Sequence, residues 1–298
     1  MPAAKMHDDQ IETTTELVHR LLATQFPQWS NLPIQPVQES GTDHALYRIG
    51  EGLVARLPII DWAVDQTESD QRWLPVLAPR LTLPIPVPVA VGQPGEGYPW
   101  PWSVAPWIAG ETPNGDNLDL AAAAVALAKF VTALHGIQPA DGPVKSGTTR
   151  GVPLANLDEG IRPLIQELGA DIDTAAVTRV WDEAVAAPRW DGPLVWIHGD
   201  ITPGNLIVRG RRLAAVIDFS GLGLGDPAPD LAPAWNFFDH GTRTIFRDII
   251  GNDDATWARG KGWVLAPALQ GLGYYRRTRP DFAAAARHRI DAVLADRT

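Results

Sequence analysis

Apolar and polar positions follow two different patterns in the first part of the chain. Residues 9–25 carry apolar side chains at helical spacing, which predicts an amphipathic helix that ends before Pro27. The pattern then becomes that of short strands, in the apolar runs 34–37, 45–49 and 53–57. Gly50-Glu51-Gly52 lies between the last two runs, and two apolar runs around such a turn predict a β-hairpin.

The segment that follows is rich in proline. Residues 62–78 have the pattern of a helix that contains Pro75, a residue that lowers the expectation of a regular helix. Eight prolines occur between 75 and 101, so this stretch is expected to be extended or turning. Residues 102–108 are apolar again and predict a strand.

Helical spacing dominates the rest of the chain. An Ala-, Leu- and Val-rich helix is predicted over 118–135 and ends at Gly136. Further helices are predicted over 155–168, 172–186, 228–250, 256–276 and 281–295, with one strand-rich island at 194–218. Strands followed by helices predict an α+β fold of two lobes with a cleft between them. We place the lobes at 1–108, with a leading helix in 1–30, and at 109–298.

Composition excludes several classes of protein. Apolar residues make up 45% of the 298 positions, which is too many for a mainly disordered chain. The 25 basic and 35 acidic side chains give a net charge of −10, which argues against nucleic-acid binding. The absence of Cys excludes disulfides, zinc-thiolate sites and a cysteine nucleophile. Neither a membrane-spanning run nor the apolar core of a secretory signal occurs, so a cytoplasmic protein is expected.

Polar residues gather at the end of the strand-rich island. Apolar runs flank a turn centred on Gly210-Arg211, which predicts a hairpin with Val208 opposite Leu213, Leu206 opposite Ala215, and Asn205 opposite Val216. Asn205 and Asp218 then emerge at one end of the hairpin. Asp200 lies on a loop upstream that contains Pro203 and Gly204 and can return to that end.

Two carboxylates and one amide oxygen at one edge suit a hard cation. Mg²⁺ takes oxygen ligands and is often held by one or two carboxylates together with substrate phosphates. A carboxylate that is not on the metal can orient a hydroxyl and accept its proton. That division of labour is typical of Mg-assisted phosphoryl transfer.

Three segments resemble one family. They are His198-Gly-Asp200-x-x-x-x-Asn205, then Ile217-Asp218-Phe219, then Gly225-Asp226-Pro227-Ala228-x-Asp230-Leu231-Ala232. The combination resembles the aminoglycoside phosphotransferase family, whose protein-kinase-like fold has an antiparallel-sheet N-lobe and a mainly helical C-lobe. The resemblance implies that Asp200 is the catalytic base, that Asn205 and Asp218 bind Mg²⁺, and that the N-lobe binds nucleotide. It implies that His198 stabilises the loop. Asp226 and Asp230 are expected to hold the loop and the start of a helix through backbone hydrogen bonds, with a direct substrate contact as the alternative.

The resemblance also assigns a nucleotide site in the first lobe. The turn Ser40-Gly41-Thr42 would cover the phosphates, and Arg56 would stand where protein kinases place Lys. Either Asp70 or Glu68 would pair with Arg56, and Asp70 is favoured; the two cannot share one helix face. The Pro106 carbonyl and the Ile108 amide would bind the adenine.

We therefore expect transfer of the γ-phosphoryl group of ATP or GTP to a hydroxyl of a small polar molecule. The leading acceptor is an aminoglycoside-type antibiotic, because the negative net charge suits a cationic molecule. A macrolide, a choline- or homoserine-like amino alcohol and a sugar remain alternatives, as does a nucleotide-binding module without catalysis. The candidate acceptor-binding residues are Asp158, Glu159, Asp239, His240, Asp253 and Asp254. No membrane is expected among the partners, and the oligomeric state stays open.

Overall fold

The computed structural model describes residues 10–37, 43–139 and 141–296. The chain forms two compact units. One unit consists of Met1–Pro79 and Pro84–Ala109, and the other of Arg80–Leu83 and Gly110–Thr298. The first unit is built on a sheet and the second mainly on helices, which confirms the α+β class.

The first unit contains a five-stranded antiparallel sheet in the order β1-β2-β3-β5-β4. Its strands are β1 (Ile34–Pro36), β2 (His44–Ile49), β3 (Leu53–Pro58), β4 (Ala90–Gly92) and β5 (Trp102–Pro106). The predicted hairpin is confirmed, because Ala45 pairs with Leu57 and Ile49 with Leu53. The proline-rich stretch is mostly irregular and contributes only β4.

Two helices accompany this sheet. The first, α1 (Thr15–Gln25), begins later than the pattern predicts, because the Thr14 hydroxyl accepts the Leu17 amide and caps the helix there. The second, α2 (Val64–Leu77), contains Pro75 as expected. Apolar side chains of α1, of the sheet and of the segment between β4 and β5 form the core of the unit: Val18, Leu21, Leu22, Tyr47, Ile49, Ala55, Leu57, Tyr98, Trp102 and Val104.

The second unit is a helical assembly around one long helix. Its helices are α3 (Leu120–His135), α4 (Asp158–Glu167), α5 (Thr174–Ala186), α6 (Pro233–Asn236), α7 (His240–Ile250), α8 (Asp254–Tyr275) and α9 (Pro280–Leu294). The long helix α8 packs against α4, α5 and α9. Within the described ranges, no helix is both long and apolar enough to cross a membrane.

The single helix predicted over 228–250 is wrong. A 3₁₀ turn at Ala228–Leu231, the short α6 and the separate α7 occupy that range. The break has a local cause, because the Asp239 carboxylate accepts the Thr242 amide at 2.8 Å and starts α7 as an N-cap.

Four short strands lie in the part of the second unit that the structure describes. They are β6 (Val195–Ile197), β7 (Leu206–Arg209), β8 (Arg212–Val216) and β9 (Gly223–Gly225). Strand β6 pairs with β9, and β7 pairs with β8. The Gly-Leu-Gly strand β9 was not predicted, because three residues with two glycines carry no strand signal. These strands carry the segments that the sequence marks as chemically important.

Candidate active site

The loop that follows β6 is held by a buried carboxylate. Asp230 accepts the amides of His198 at 3.0 Å and Gly199 at 2.7 Å, and it also contacts Nε2 of His135 at 3.1 Å. Asp230 is fully buried, so these hydrogen bonds are shielded from water. The loop therefore has a fixed backbone up to the residue before Asp200.

His198 ties this loop to the end of β8. Its Nδ1 accepts the Asp200 amide at 3.2 Å, so the ring proton is on Nε2, which donates to the Ile217 carbonyl at 3.1 Å. The ring is completely buried and packs against Phe219. Both ring nitrogens are thus used, and His198 supports the loop.

Gly199 is required by the backbone of the loop. Its φ is +77°, and a Cβ at this position would lie 2.9 Å from the Gly221 carbonyl oxygen. The loop and the segment after Asp218 are therefore packed backbone against backbone.

The β7–β8 hairpin is confirmed with one change of register. Gly210 and Arg211 both have positive φ, as in a tight type I′ turn, and Val208 pairs with Leu213 as predicted. The other two predicted pairs are wrong. Leu206 pairs with Val216 and Ile207 with Ala215, because a bulge at Ile207/Val208 leaves Ala214 without a partner on β7.

The three residues predicted at the end of the hairpin are linked. Asn205 Nδ2 donates to the Asp200 carbonyl at 2.9 Å and to its Oδ2 at 3.2 Å. The Asn205 carbonyl accepts the amide of Ile217 at 2.9 Å, which places Asn205 beside the residue that precedes Asp218. Asp218 has left-handed backbone geometry and accepts the Ser220 amide at 3.3 Å.

Asn205 and Asp218 carry oxygen atoms of the kind that suit a cation. The amide nitrogen of Asn205 faces Asp200, and its Oδ1 accepts no hydrogen bond from any residue that the structure describes. Together with the Asp218 carboxylate it offers the mixed oxygen set that Mg²⁺ accepts when phosphate oxygens and water complete the shell. In the described ranges, no group of three or more His, Asp, Glu or Cys side chains is placed to hold a metal by itself.

Arg56 and Asp70 form an ion pair in the first unit. Arg56 Nη1, on β3, lies 2.7 Å from Oδ2 of Asp70, on α2. The Asp70 side chain is buried and Glu68 is exposed, so of the two candidates left open by the sequence, Asp70 is the one that pairs.

The predicted adenine segment ends β5. Pro106 is the last residue of the strand, and the Trp107 amide donates to the Gly52 carbonyl at 2.8 Å. The Ile108 amide donates to no acceptor within the described ranges, so it is available to a ligand. Ser40, Gly41 and Thr42, predicted to cover the phosphates, lie outside the described residues.

The sequence profile of the phosphotransferase enzyme family (APH) matches residues 34–263, which include Arg56, Asp70 and the Asp200–Asp218 hairpin. The chain belongs to this family. The resemblance to aminoglycoside phosphotransferases and the enzyme class, a small-molecule kinase, are thereby confirmed. A comparison with curated proteins finds no match.

Solved phosphotransferase structures share the fold of this family member. The GDP and kanamycin complex of APH(2″)-IIIa is 18% identical, with a TM-score of 0.70 over 94% of this chain and 99% of that one. ADP-bound aminoglycoside phosphotransferase APH(2″)-Ib is 16% identical, with a TM-score of 0.60 over 95% and 98%. Macrolide 2′-phosphotransferase MphH from Brachybacterium faecium is 20% identical, with a TM-score of 0.61 over 95% and 98%. The expected kinase-like α+β fold is confirmed.

Several acidic residues of this phosphotransferase that the sequence offers for acceptor binding have structural contacts. Asp239 and Asp253 cap α7 and α8, and the Thr242 amide lowers the pKa of the Asp239 carboxyl. Asp158 accepts hydrogen bonds from Arg162 and from the Trp181 indole. Such contacts explain these residues without a substrate.

Sequence reasoning missed the basic residues near the hairpin. Arg150 Nη1 lies 3.1 Å from Oδ1 of Asp200, and Arg289 lines the same pocket as Asp200. Lys145 is a further basic residue and lies, like Arg150, between α3 and α4. Burial lowers the pKa of its amine to about 8. Arg150 and Arg289 carry no motif, and only the fold brings them to Asp200.

Proposed function

We propose that this phosphotransferase moves the γ-phosphoryl group of ATP or GTP, with Mg²⁺, to a hydroxyl of a small polar molecule. The observation that carries the proposal is the linked set of Asp200, Asn205 and Asp218 at one end of the β7–β8 hairpin. Family membership supports it, because the set contains the base and the cation ligands that phosphoryl transfer needs.

Asp200 is the proposed base. The acceptor hydroxyl oxygen forms a bond to the γ-phosphorus while the bond from that phosphorus to the bridging oxygen breaks. The hydroxyl proton passes to the Asp200 carboxylate, and ADP or GDP leaves with the bridging oxygen. Asn205 holds Asp200 through its amide nitrogen, which fixes the direction of the carboxylate.

Asn205 Oδ1 and the Asp218 carboxylate are the proposed Mg²⁺ ligands. Mg²⁺ bound there would neutralise phosphate charge as the transfer proceeds. Arg56 would bind the α- and β-phosphates, since a guanidinium presents a rigid fork to phosphate oxygens and Asp70 orients it. Ser40, Gly41 and Thr42 are proposed to cover the phosphates, and Pro106 and Ile108 to bind the adenine.

The names of the structural neighbours support small-molecule acceptors. One neighbour was solved with kanamycin and GDP, another with ADP, and others are macrolide phosphotransferases. The net charge of −10 by itself favours a cationic acceptor such as an aminoglycoside-type antibiotic, but it is summed over the whole surface and does not fix the sign of the charge beside Asp200. Two arginines lie in the same pocket as Asp200, and their charge is opposite in sign to the net charge of the chain.

Nucleotide consumption tests the proposal. Release of ADP or GDP is measured with Mg-ATP and Mg-GTP against a panel of antibiotics, amino alcohols and sugars. Asp200→Asn should bind nucleotide normally and transfer about 10²- to 10⁴-fold more slowly. Asp191→Asn, which makes the same change at an exposed site, is the control. More than a tenth of the activity left in Asp200→Asn would remove Asp200 as the base.

A further inference from the structure

Asp200 shares its pocket with two arginines that come from distant parts of the second unit. Arg150, between α3 and α4, contacts Oδ1 of Asp200 at 3.1 Å. Arg289, on α9, lines the same pocket and is attracted to Asp200. Among the residues described in this pocket these are the charged ones, so its cations outnumber its carboxylates. The local charge is therefore opposite in sign to the net charge of the chain.

Arg289 is a half-buried cation without a protein partner of its own. It makes no hydrogen bond and no ion pair with any residue that the structure describes. Burial lowers the pKa of its guanidinium, which nevertheless stays charged because the ordinary value is so high. A partly desolvated, unpaired charge is costly, and an anion supplied by a ligand would offset that cost.

Trp263 also lines this pocket. Its side chain is 3% exposed, and its indole Nε1 has no hydrogen-bond acceptor in the described part of the chain. An indole N–H can only donate, so its missing partner must be an acceptor atom. Two arginines and a tryptophan whose indole N–H has no acceptor in the described part of the chain thus line a pocket with a single carboxylate.

The position of Asp200, the proposed base, determines which part of the acceptor lies next to Arg150 and Arg289. If Asp200 takes the proton of the acceptor hydroxyl, that hydroxyl lies within hydrogen-bond reach of the carboxylate. The atoms next to the hydroxyl then lie against Arg150, Arg289 and Trp263. A polycation would place its ammonium groups against two guanidinium groups, which like-charge repulsion opposes. Carboxylate and phosphate oxygens suit guanidinium forks bidentately.

We infer that the acceptor carries an anionic group, a carboxylate or a phosphate, close to the hydroxyl that is phosphorylated. Arg150 and Arg289 bind the anion, and the Trp263 indole donates to one of its oxygens. This inference rests on the proposed function, because it takes Asp200 as the base. The transfer step is the one given above, with the proton going to Asp200.

A matched set of acceptors tests the charge directly. Glucose, glucuronate, glucose 6-phosphate and 6-amino-6-deoxyglucose differ only at one carbon and present a neutral, a carboxylate, a phosphate and a cationic form. Kanamycin is included as a polycation. With Mg-ATP, the anionic members should have the highest kcat/KM, and the two anionic arms separate carboxylate from phosphate. A preference for kanamycin or for the amino sugar overturns the inference.

Variants separate acceptor binding from nucleotide binding. Arg289→Gln and Arg150→Gln should raise the KM of the anionic acceptor about tenfold to a hundredfold and leave the KM of ATP unchanged. Arg289→Lys keeps the charge and should recover part of the loss, and Trp263→Phe should raise the same KM less. Arg179→Gln removes an equal charge from an exposed position of α5 and should change nothing. Unchanged acceptor KM values in both Gln variants overturn the inference.

A binding measurement keeps the two proposals distinguishable. Phenylglyoxal modifies accessible arginines, and mass spectrometry locates the modified residues. Glucuronate or glucose 6-phosphate should slow the modification of Arg150 and Arg289 relative to Arg179, and glucose should not. If no compound is phosphorylated, the kinase proposal fails whatever the pattern of modification. Equal modification of Arg150 and Arg289 with and without the anions overturns the inference, whether or not transfer is detected.

Discussion

Arg56 and Asp70 are joined by a contact of 2.7 Å between Nη1 and Oδ2, and it is made by the shorter of the two candidate acids on α2. The reach of the arginine side chain compensates for the missing methylene of Asp. Glu68 lies two residues away on the same helix and is exposed, because positions two apart do not share a face. The guanidinium is therefore held at one end, and its direction is fixed.

Asp70→Asn should weaken nucleotide binding without touching the acceptor. The neutral amide no longer pairs with Arg56, so the guanidinium loses its orientation and the KM of ATP rises about tenfold or more. The KM of the acceptor should stay constant. Glu68→Gln, on the same helix, is the matched control. Equal increases for Asp70→Asn and Glu68→Gln would contradict the assignment of Asp70.

Asp218→Ala should weaken Mg-nucleotide binding far more than binding of metal-free nucleotide. Its carboxylate is proposed to contact the Mg²⁺ ion and not the purine ring of the nucleotide. A fluorescent ATP analogue is titrated with Mg²⁺ present and again with EDTA, using Asp191→Ala as the control for loss of an exposed charge. Equal losses under both conditions would give Asp218 a structural role.

Local signals predicted the end of the β7–β8 hairpin well. Gly210-Arg211 occupies a tight turn, and two apolar runs flank it, so Asn205 and Asp218 could be placed at one end without a structure. The bulge at Ala214 could not be placed in the same way. Alternation of apolar residues is equally consistent with both registers in the run Leu213-Ala214-Ala215-Val216.

Long-range contacts account for what the sequence did not predict. Arg150 and Arg289 are separated by most of the second unit and reach one pocket only after α9 has packed on α8. Neither lies in a motif, so net charge was the one electrostatic signal available. Net charge averages over the whole surface and says nothing about the sign of the charge beside Asp200.

Asp296→Asn should lower the free energy of unfolding by about 3 kcal/mol. Oδ2 of Asp296 accepts the indole N–H groups of Trp235 at 2.9 Å and Trp257 at 3.1 Å, and lies 3.5 Å from Nζ of the largely buried Lys261. The amide would remove the carboxylate charge that faces that cation. Urea unfolding measures the change, with exposed Asp291→Asn on α9 as the control. A decrease of less than 1 kcal/mol, about the value of an exposed ion pair, would show that these contacts of Asp296 contribute little to stability.

Lys145 should make the free energy of unfolding increase with pH in the alkaline range. Burial lowers the pKa of its amine from 10.5 to about 8, so between these values the unfolded chain binds the proton and the folded chain does not. The free energy of unfolding therefore rises with pH across this window. The rise should vanish in Lys145→Met and persist in Lys129→Met, an exposed control. Parallel curves for wild type and Lys145→Met, from urea unfolding at several pH values, would refute the shift.

The position of Asp230 in the sequence affects the order in which parts of this enzyme fold during translation. The amides of His198 and Gly199 leave the ribosome about thirty residues before Asp230, their partner, does. The strands of the first unit all lie within Ile34–Pro106 and are complete much earlier. Because domains generally fold as units during translation, a nascent chain should acquire its five-stranded sheet first. The loop that carries Asp200 becomes ordered only when the later segment has emerged.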